Sequence, residues 1–119
     1  MNDRRTEMRR KLAAFTTVRD KRRGALLGYL GNLTYHGLLV IGEKPLEAGA
    51  QITLEMEFPD ELPDALTRRM VIDARVARCV PDQENPREFN IGFEFLNVGA
   101  QHAQMIQSLL ERYHFRYQS

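Results

Sequence analysis

The chain has 119 residues, 43% of them hydrophobic and 28% charged, enough for one domain with its own apolar core. No apolar run reaches the length of a membrane-spanning helix, and the first residues are charged rather than apolar, which argues against a secretory signal. Cys79 is the one cysteine, so neither an internal disulfide nor a zinc cluster of cysteine spacing can form, and a reducing, cytoplasmic location is expected.

The net charge of +1 hides a polarised distribution. Residues 1–24 carry Arg4, Arg5, Arg9, Arg10, Lys11, Arg19, Lys21, Arg22 and Arg23 against Asp3, Glu7 and Asp20. Residues 43–66 reverse it, with Glu43, Glu47, Glu55, Glu57, Asp60, Glu61 and Asp64 against Lys44. A basic head beside an acidic middle points to an anionic partner for the head. All basic residues but Lys11, Lys21 and Lys44 are arginine. Its planar fork grips phosphates and base edges in pairs and stacks on rings.

Residues 1–12 are almost wholly polar, with Met8 and Leu12 as the apolar points beyond Met1. Such a stretch cannot bury enough surface to fold alone, so a flexible basic arm is expected, ordering against a ligand or partner. Residues 13–119 then read as a single domain. Ala14 to Val18 has the composition of a strand, and Asp20 to Gly24 that of its turn. Ala25 to Leu33 forms a second strand, in which Gly28 and Gly31 mark bulges, bends or close backbone approaches. The polar turn around Tyr35-His36-Gly37 leads into the short apolar strand Leu38 to Ile41.

Alternation then becomes explicit. Ile52, Leu54, Met56 and Phe58 alternate with Gln51, Thr53, Glu55 and Glu57, the period of a sheet with one wet face. Pro59 to Asp64 is an acidic loop. Met70, Ile72, Ala74 and Val76 form the apolar phase of another strand, and Phe89, Ile91, Phe93 and Phe95 that of the next. From about 100 to 114 the period changes, with Ala103, Ile106, Leu109, Leu110 and Tyr113 at helical spacing. The expected fold is therefore mainly β, a small six-stranded antiparallel barrel with one C-terminal α-helix over an opening or flank. The βαβ alternation and glycine fingerprints of dinucleotide and P-loop folds are absent from the sequence.

Groups for catalysis are sparse, and no enzyme is expected. His36, His102 and His114 are far apart in sequence, and Ser108 and Ser119 have no nucleophile-elbow context. Cys79 lies in a strand and reads as a small core hydrophobe. The carboxylates Glu55 and Glu57 share a wet strand face. A small barrel with an arginine-rich arm also suits a nucleic-acid binder. The phenylalanines, however, occupy the core phase rather than a stacking face, and the acidic middle would repel a long polymer.

Two stretches combine into a pattern. Arg5-x-x-x-Arg9, a first strand, and then Asn32-x-Thr34-x-x-Gly37 opening a short apolar strand resemble the signature of the PilZ domain. That signature is RxxxR followed about two dozen residues later by [D/N]xSxxG. The late strand Ile91-Gly92-Phe93-Glu94-Phe95 and the C-terminal helix are also similar to that family. The resemblance implies a six-stranded PilZ-like barrel that binds cyclic di-GMP, with no metal or catalytic group.

It implies that Arg5 and Arg9 grip guanine or phosphate and that Asn32 meets the guanine polar edge, its carbonyl accepting and its amide donating. Thr34 would supply a hydroxyl where the family has serine, and Gly37 would let the backbone turn or approach the ligand. Arg4 and Arg10 flank the chosen pair and leave the arginine register open. An arginine in the place of Arg4 is associated in the family with an intercalated ligand dimer. Arg75 and Arg78 are further candidate contacts. The partners implied are cyclic di-GMP and an unidentified downstream protein, without nucleic-acid polymer or membrane insertion, the chain being a monomer or weak homodimer. The competing readings are an adaptor of the same fold without ligand and, behind it, the nucleic-acid binder.

Overall fold

The computed structural model describes residues 10–11, 16–58 and 69–114, the pairs 10–11 and 113–114 by backbone alone. The arginines Arg4, Arg5 and Arg9, the start of the first expected strand at Ala14 and Phe15, and the acidic loop Pro59 to Asp64 lie outside the described residues. The strands are β1 (Arg10–Lys11), β2 (Thr17–Asp20), β3 (Ala25–Leu33), β4 (Gly37–Gly42), β5 (Gln51–Glu57), β6 (Arg69–Pro81), β7 (Phe89–Phe95) and β8 (Tyr113–His114). The helix α1 spans Ala100–Arg112.

Alternation explains the barrel. Strands β2 to β7 close in the order β2-β3-β4-β7-β6-β5, every neighbour antiparallel, with β5 returning to β2. Closure leaves none of these six strands with an unpaired edge. One phase of each strand points inward: Val18, Leu30, Leu38, Val40, Leu54, Met56, Met70, Ile72, Ala74, Val76, Ile91 and Phe93 are buried in one cluster. Phe89, Phe95 and Cys79 are partly buried and pack against that cluster, as their strand phase suggests.

The helix supplies the stopper. Met105, Ile106 and Leu109 are buried in the same cluster, and Leu110 packs against it. Burying side chains of this size contributes roughly 1.5–3 kcal/mol each. The helix begins without an acidic residue in its first turn. Instead His102 reaches back, its Nδ1 accepting from the Gly99 N–H at 3.0 Å, while its Nε2 donates to the Val71 carbonyl on β6 at 2.9 Å. One imidazole thus satisfies an orphan amide of the helix start and fixes that end to the barrel. Among the described residues, no helix is long and apolar enough to cross a membrane.

The C-terminal end differs from the periodicity. The helix stops at Arg112, and Tyr113 and His114, expected in its last turn, extend as β8. They pair in parallel with Arg10 and Lys11, which the sequence places in the flexible basic arm. Aromatic residues favour an extended backbone, and pairing supplies partners that a helix end lacks. The base of the arm is therefore joined to the end of α1.

Two bulges set which way the site-bearing strands face. In β3 the register passes from Leu30↔Val40 to Asn32↔Leu39, so Gly31 is the extra residue. Strict alternation from Leu30 would turn Asn32 inward. The extra residue reverses the phase, so Leu33 is buried and Asn32 faces out, half-buried. In β6 the pairs Val76↔Phe93 and Arg78↔Gly92 leave Ala77 extra, and Arg78 is likewise turned outward.

Candidate functional site

The bulges put the polar candidates on one wall. Across the outer face of β3, β4, β7 and β6, one row runs Asn32, Leu39, Gly92, Arg78. The next outward row runs Gly37, Glu94, Arg75, with Thr34 beside Gly37 at the turn. Adjacent strands lie about 4.8 Å apart, and successive outward rows about 6.6 Å apart. The centre of the wall is low because Gly37 and Gly92 have no side chains. Arg78 lays its stem over Gly92, where a Cβ would come within 3.1 Å of its Cγ.

The turn between β3 and β4 is held by Thr34. Its hydroxyl oxygen accepts from the N–H groups of His36 and Gly37, both at 3.2 Å, and donates to the Gly37 carbonyl at 3.3 Å. The Thr34 N–H also donates to that carbonyl, at 2.9 Å. The hydroxyl is thus committed to the turn, a role in which threonine and serine are equivalent. Gly37 has a similar explanation. A Cβ there would fall onto the Phe93 carbonyl oxygen, so glycine is demanded by the approach of β4 to β7 rather than by an unusual turn angle.

Asn32 is oriented by its own neighbour. Its Oδ1 accepts from the Leu33 N–H at 2.9 Å, which orients the side chain and leaves it the two amide hydrogens and a second carbonyl lone pair to offer. Beside it opens a cleft of about 290 Å³ lined by Asn32, Thr34, His36, Gly37, Leu39 and Glu94, with Leu38 and Phe93 beneath. Such a volume suits part of a nucleotide, with an apolar floor and a few polar groups at its rim. Glu94 is paired with Arg75 at that rim, both side chains about half exposed, so the pair adds little to stability.

His36, Leu39 and Glu94 are lining residues that sequence reasoning did not select. Alternation marks Leu39 and Glu94 as out of phase with the core. Their meeting depends on β4 pairing with β7, a contact between strands far apart in sequence, and no local signal carries it.

The PilZ domain family model matches residues 3–112, a span that includes both the arginine segment and this wall. The chain belongs to the PilZ domain family. Among solved structures it is similar to the PilZ domain with c-di-GMP of YcgR from Escherichia coli, with TM-score 0.53 and 19% sequence identity. That match covers 79% of this chain and 76% of the other, and at this identity it speaks for the fold. Curated protein sequences give no match. As a PilZ domain, the chain brings Asn32, Thr34 and Gly37 to one cleft on the β3–β4 turn. Arg10 sits in β1, whose backbone pairs with β8 just after α1, while Arg4, Arg5 and Arg9 lie outside the described residues.

Proposed function

We propose that this PilZ domain is a non-catalytic receptor for cyclic di-GMP. The observation that carries the reading is the outward amide of Asn32 beside an open cleft, in a PilZ chain whose N-terminal segment holds Arg5-x-x-x-Arg9. The wall by itself offers hydrogen-bond donors, an apolar floor and a low centre. Charge for two phosphates comes from the arm, where Arg5 and Arg9 clamp phosphate or stack on base, with Arg4 and Arg10 flanking them. Arg4 favours an intercalated pair of ligand molecules.

Binding then orders the arm, and the entropy of ordering is offset by charge-assisted contacts. Because β1 pairs with β8, that ordering also pulls on the chain just after α1. The arm conformation and the neutralised basic surface form the signal to a downstream protein in the cytoplasm.

Titration calorimetry of the full chain with cyclic di-GMP tests this. Binding is expected at micromolar protein, with Arg5→Ala and Arg9→Ala each weakening it by about 10–100-fold, the worth of a hydrogen bond to a charged group. Absence of heat for the wild type would overturn the receptor reading. A protein captured equally with and without ligand would favour the adaptor of the same fold.

A further inference from the structure

The β2–β3 hairpin carries charge and apolar surface that the cleft does not use. Its tip, Lys21 to Gly24, is held through the backbone. Asp20 Oδ1 accepts from the Arg22 and Arg23 N–H groups at 3.0 and 3.3 Å, and the Gly24 N–H donates to the Asp20 carbonyl at 2.8 Å. The Lys21 N–H donates to the Thr53 carbonyl at 2.9 Å, which ties the tip to β5. The turn thus keeps its shape without the side chains of Lys21, Arg22 and Arg23, and all three residues are exposed. Among the described residues neither Lys21 nor Arg22 enters an ion pair, and Arg23 stands 4.0 Å from the Asp20 carboxylate. Arg19, also exposed, lays Nη1 against the Gly24 carbonyl at 3.4 Å and adds a further cation.

Two bulges arrange what lies beside these cations. The register passes from Val18↔Gly28 to Arg19↔Leu26, so Leu27 is extra in β3 as Gly31 is further along. The outward positions of β3 therefore fall three apart, at Leu26, Tyr29 and Asn32. Leu26 and Tyr29 are half exposed, two of the four large hydrophobics left so open among the described residues. Leu26 stands directly across from Arg19.

Opposing charge on this side is small. The Asp20 carboxylate is taken up by the turn, and Glu55, opposite Arg19 on β5, is paired with Arg69. Glu43, just past β4, is followed by Lys44. Glu84 and Glu88 sit in the β6–β7 turn, across the barrel from β2 and β3. A tight turn is convex, so its cations splay outward with no facing carboxylate to fix the register of a folded partner. Such a surface suits a flat partner with dense, mobile negative charge and an apolar layer beneath it. An anionic lipid surface offers both: headgroups for Arg19, Lys21, Arg22 and Arg23, and the acyl boundary for Leu26, with the amphipathic Tyr29 at the rim.

We propose that the β2–β3 face is a peripheral docking surface for anionic lipid headgroups. It goes beyond the receptor reading and does not depend on it. The tip and the β3–β4 turn lie at opposite ends of β3, about 25 Å apart, so lipid and a ligand in the cleft can be held together.

Co-sedimentation of the full chain with vesicles tests this, comparing phosphatidylcholine alone with an equimolar mixture of phosphatidylcholine and phosphatidylglycerol. The chain is expected to bind the anionic vesicles at about 0.1 M salt, to leave them at about 1 M, and to ignore phosphatidylcholine alone. Each cation at such a surface corresponds to roughly a fivefold change in partition, so the triple variant Lys21→Gln/Arg22→Gln/Arg23→Gln should bind about 100-fold more weakly. Leu26→Ser, at unchanged charge, should weaken binding about 3–10-fold. Should the triple variant melt lower than wild type, Arg22→Gln alone is expected to weaken binding about fivefold. A triple variant that binds like wild type, with binding lost in Arg4→Gln/Arg5→Gln instead, would assign the vesicles to the N-terminal segment and overturn the proposal. A wild type that stays in the supernatant would overturn it as well, and self-association lost in the triple variant would then give the face to a second copy of the chain.

Discussion

The inner and outer faces of β4, β7 and β6 are made by alternate residues of the same strands, yet they differ in what completes them. Inside, Leu38, Val40, Phe93, Ile91, Ala74 and Val76 are buried against one another and against α1, so the chain meets its own needs. Outside, the same strands present Gly37, Gly92, Leu39, Glu94, Arg75 and Arg78. That face has a half-covered leucine, a half-exposed ion pair and backbone without side chains. In addition, Asn32 on the neighbouring strand is half-buried at that face, its Oδ1 accepting from the Leu33 N–H. With the receptor function proposed above, folding and recognition fall to the two phases of one sheet. Neighbouring substitutions should therefore act on different observables.

The sharpest contrast is between Phe93 and Glu94. Phe93→Ala should cost roughly 3–5 kcal/mol in denaturant unfolding, because it opens a cavity in the barrel core. Glu94→Gln, one residue along, should change stability by no more than about 0.5 kcal/mol, since it alters a half-exposed surface group. Comparable losses for the two would break the division.

Gly37 tests the point where the faces meet. Gly37→Ala should cost about 1–3 kcal/mol as an overpacking change, because the added methyl meets the Phe93 carbonyl and parts β4 from β7. It should also close the cleft to ligand, so stability and binding fall together here. A stable Gly37→Ala protein with an unaltered spectrum would show that the strand approach is softer than the geometry indicates.

His102 and Thr34 carry smaller effects. His102→Ala removes the bonds to Gly99 and Val71 and should cost about 1–2 kcal/mol, with faster amide exchange in the first turn of α1. Thr34→Val keeps the shape but strands the His36 and Gly37 N–H groups, at a cost of about 1 kcal/mol and a looser turn. Thr34→Ser retains the hydroxyl and should stay within about 0.5 kcal/mol in stability. A marked change in ligand affinity with serine would show that the Thr34 methyl, the one group removed, bears on the ligand.

Alternation made most of the barrel legible. The strands β5, β6 and β7 fall where the period of two places them, because an inside and an outside leave that imprint on any half-buried strand. The helix was legible for the same reason, up to Arg112. Beyond it, Tyr113 and His114 continue the apolar spacing but join β1, and a contact between chain ends leaves no local period. The arginine segment and the Asn32–Gly37 turn were legible as a pair of half-motifs.

The sequence by itself determined the residue types of the wall, the apolar phase of the barrel and the membership that both half-motifs imply. Tertiary structure decided which atoms face out. Gly31 looks like a strand glycine, but only pairing with β4 makes it the extra residue that turns Asn32 to the surface. Glu94 looks like one more exposed carboxylate until β7 is laid against β4 and β6, which brings it to Gly37 on one side and Arg75 on the other. Those neighbours come from strands far apart along the chain, and register between such strands is fixed by packing of the closed barrel, not by any local run of residues.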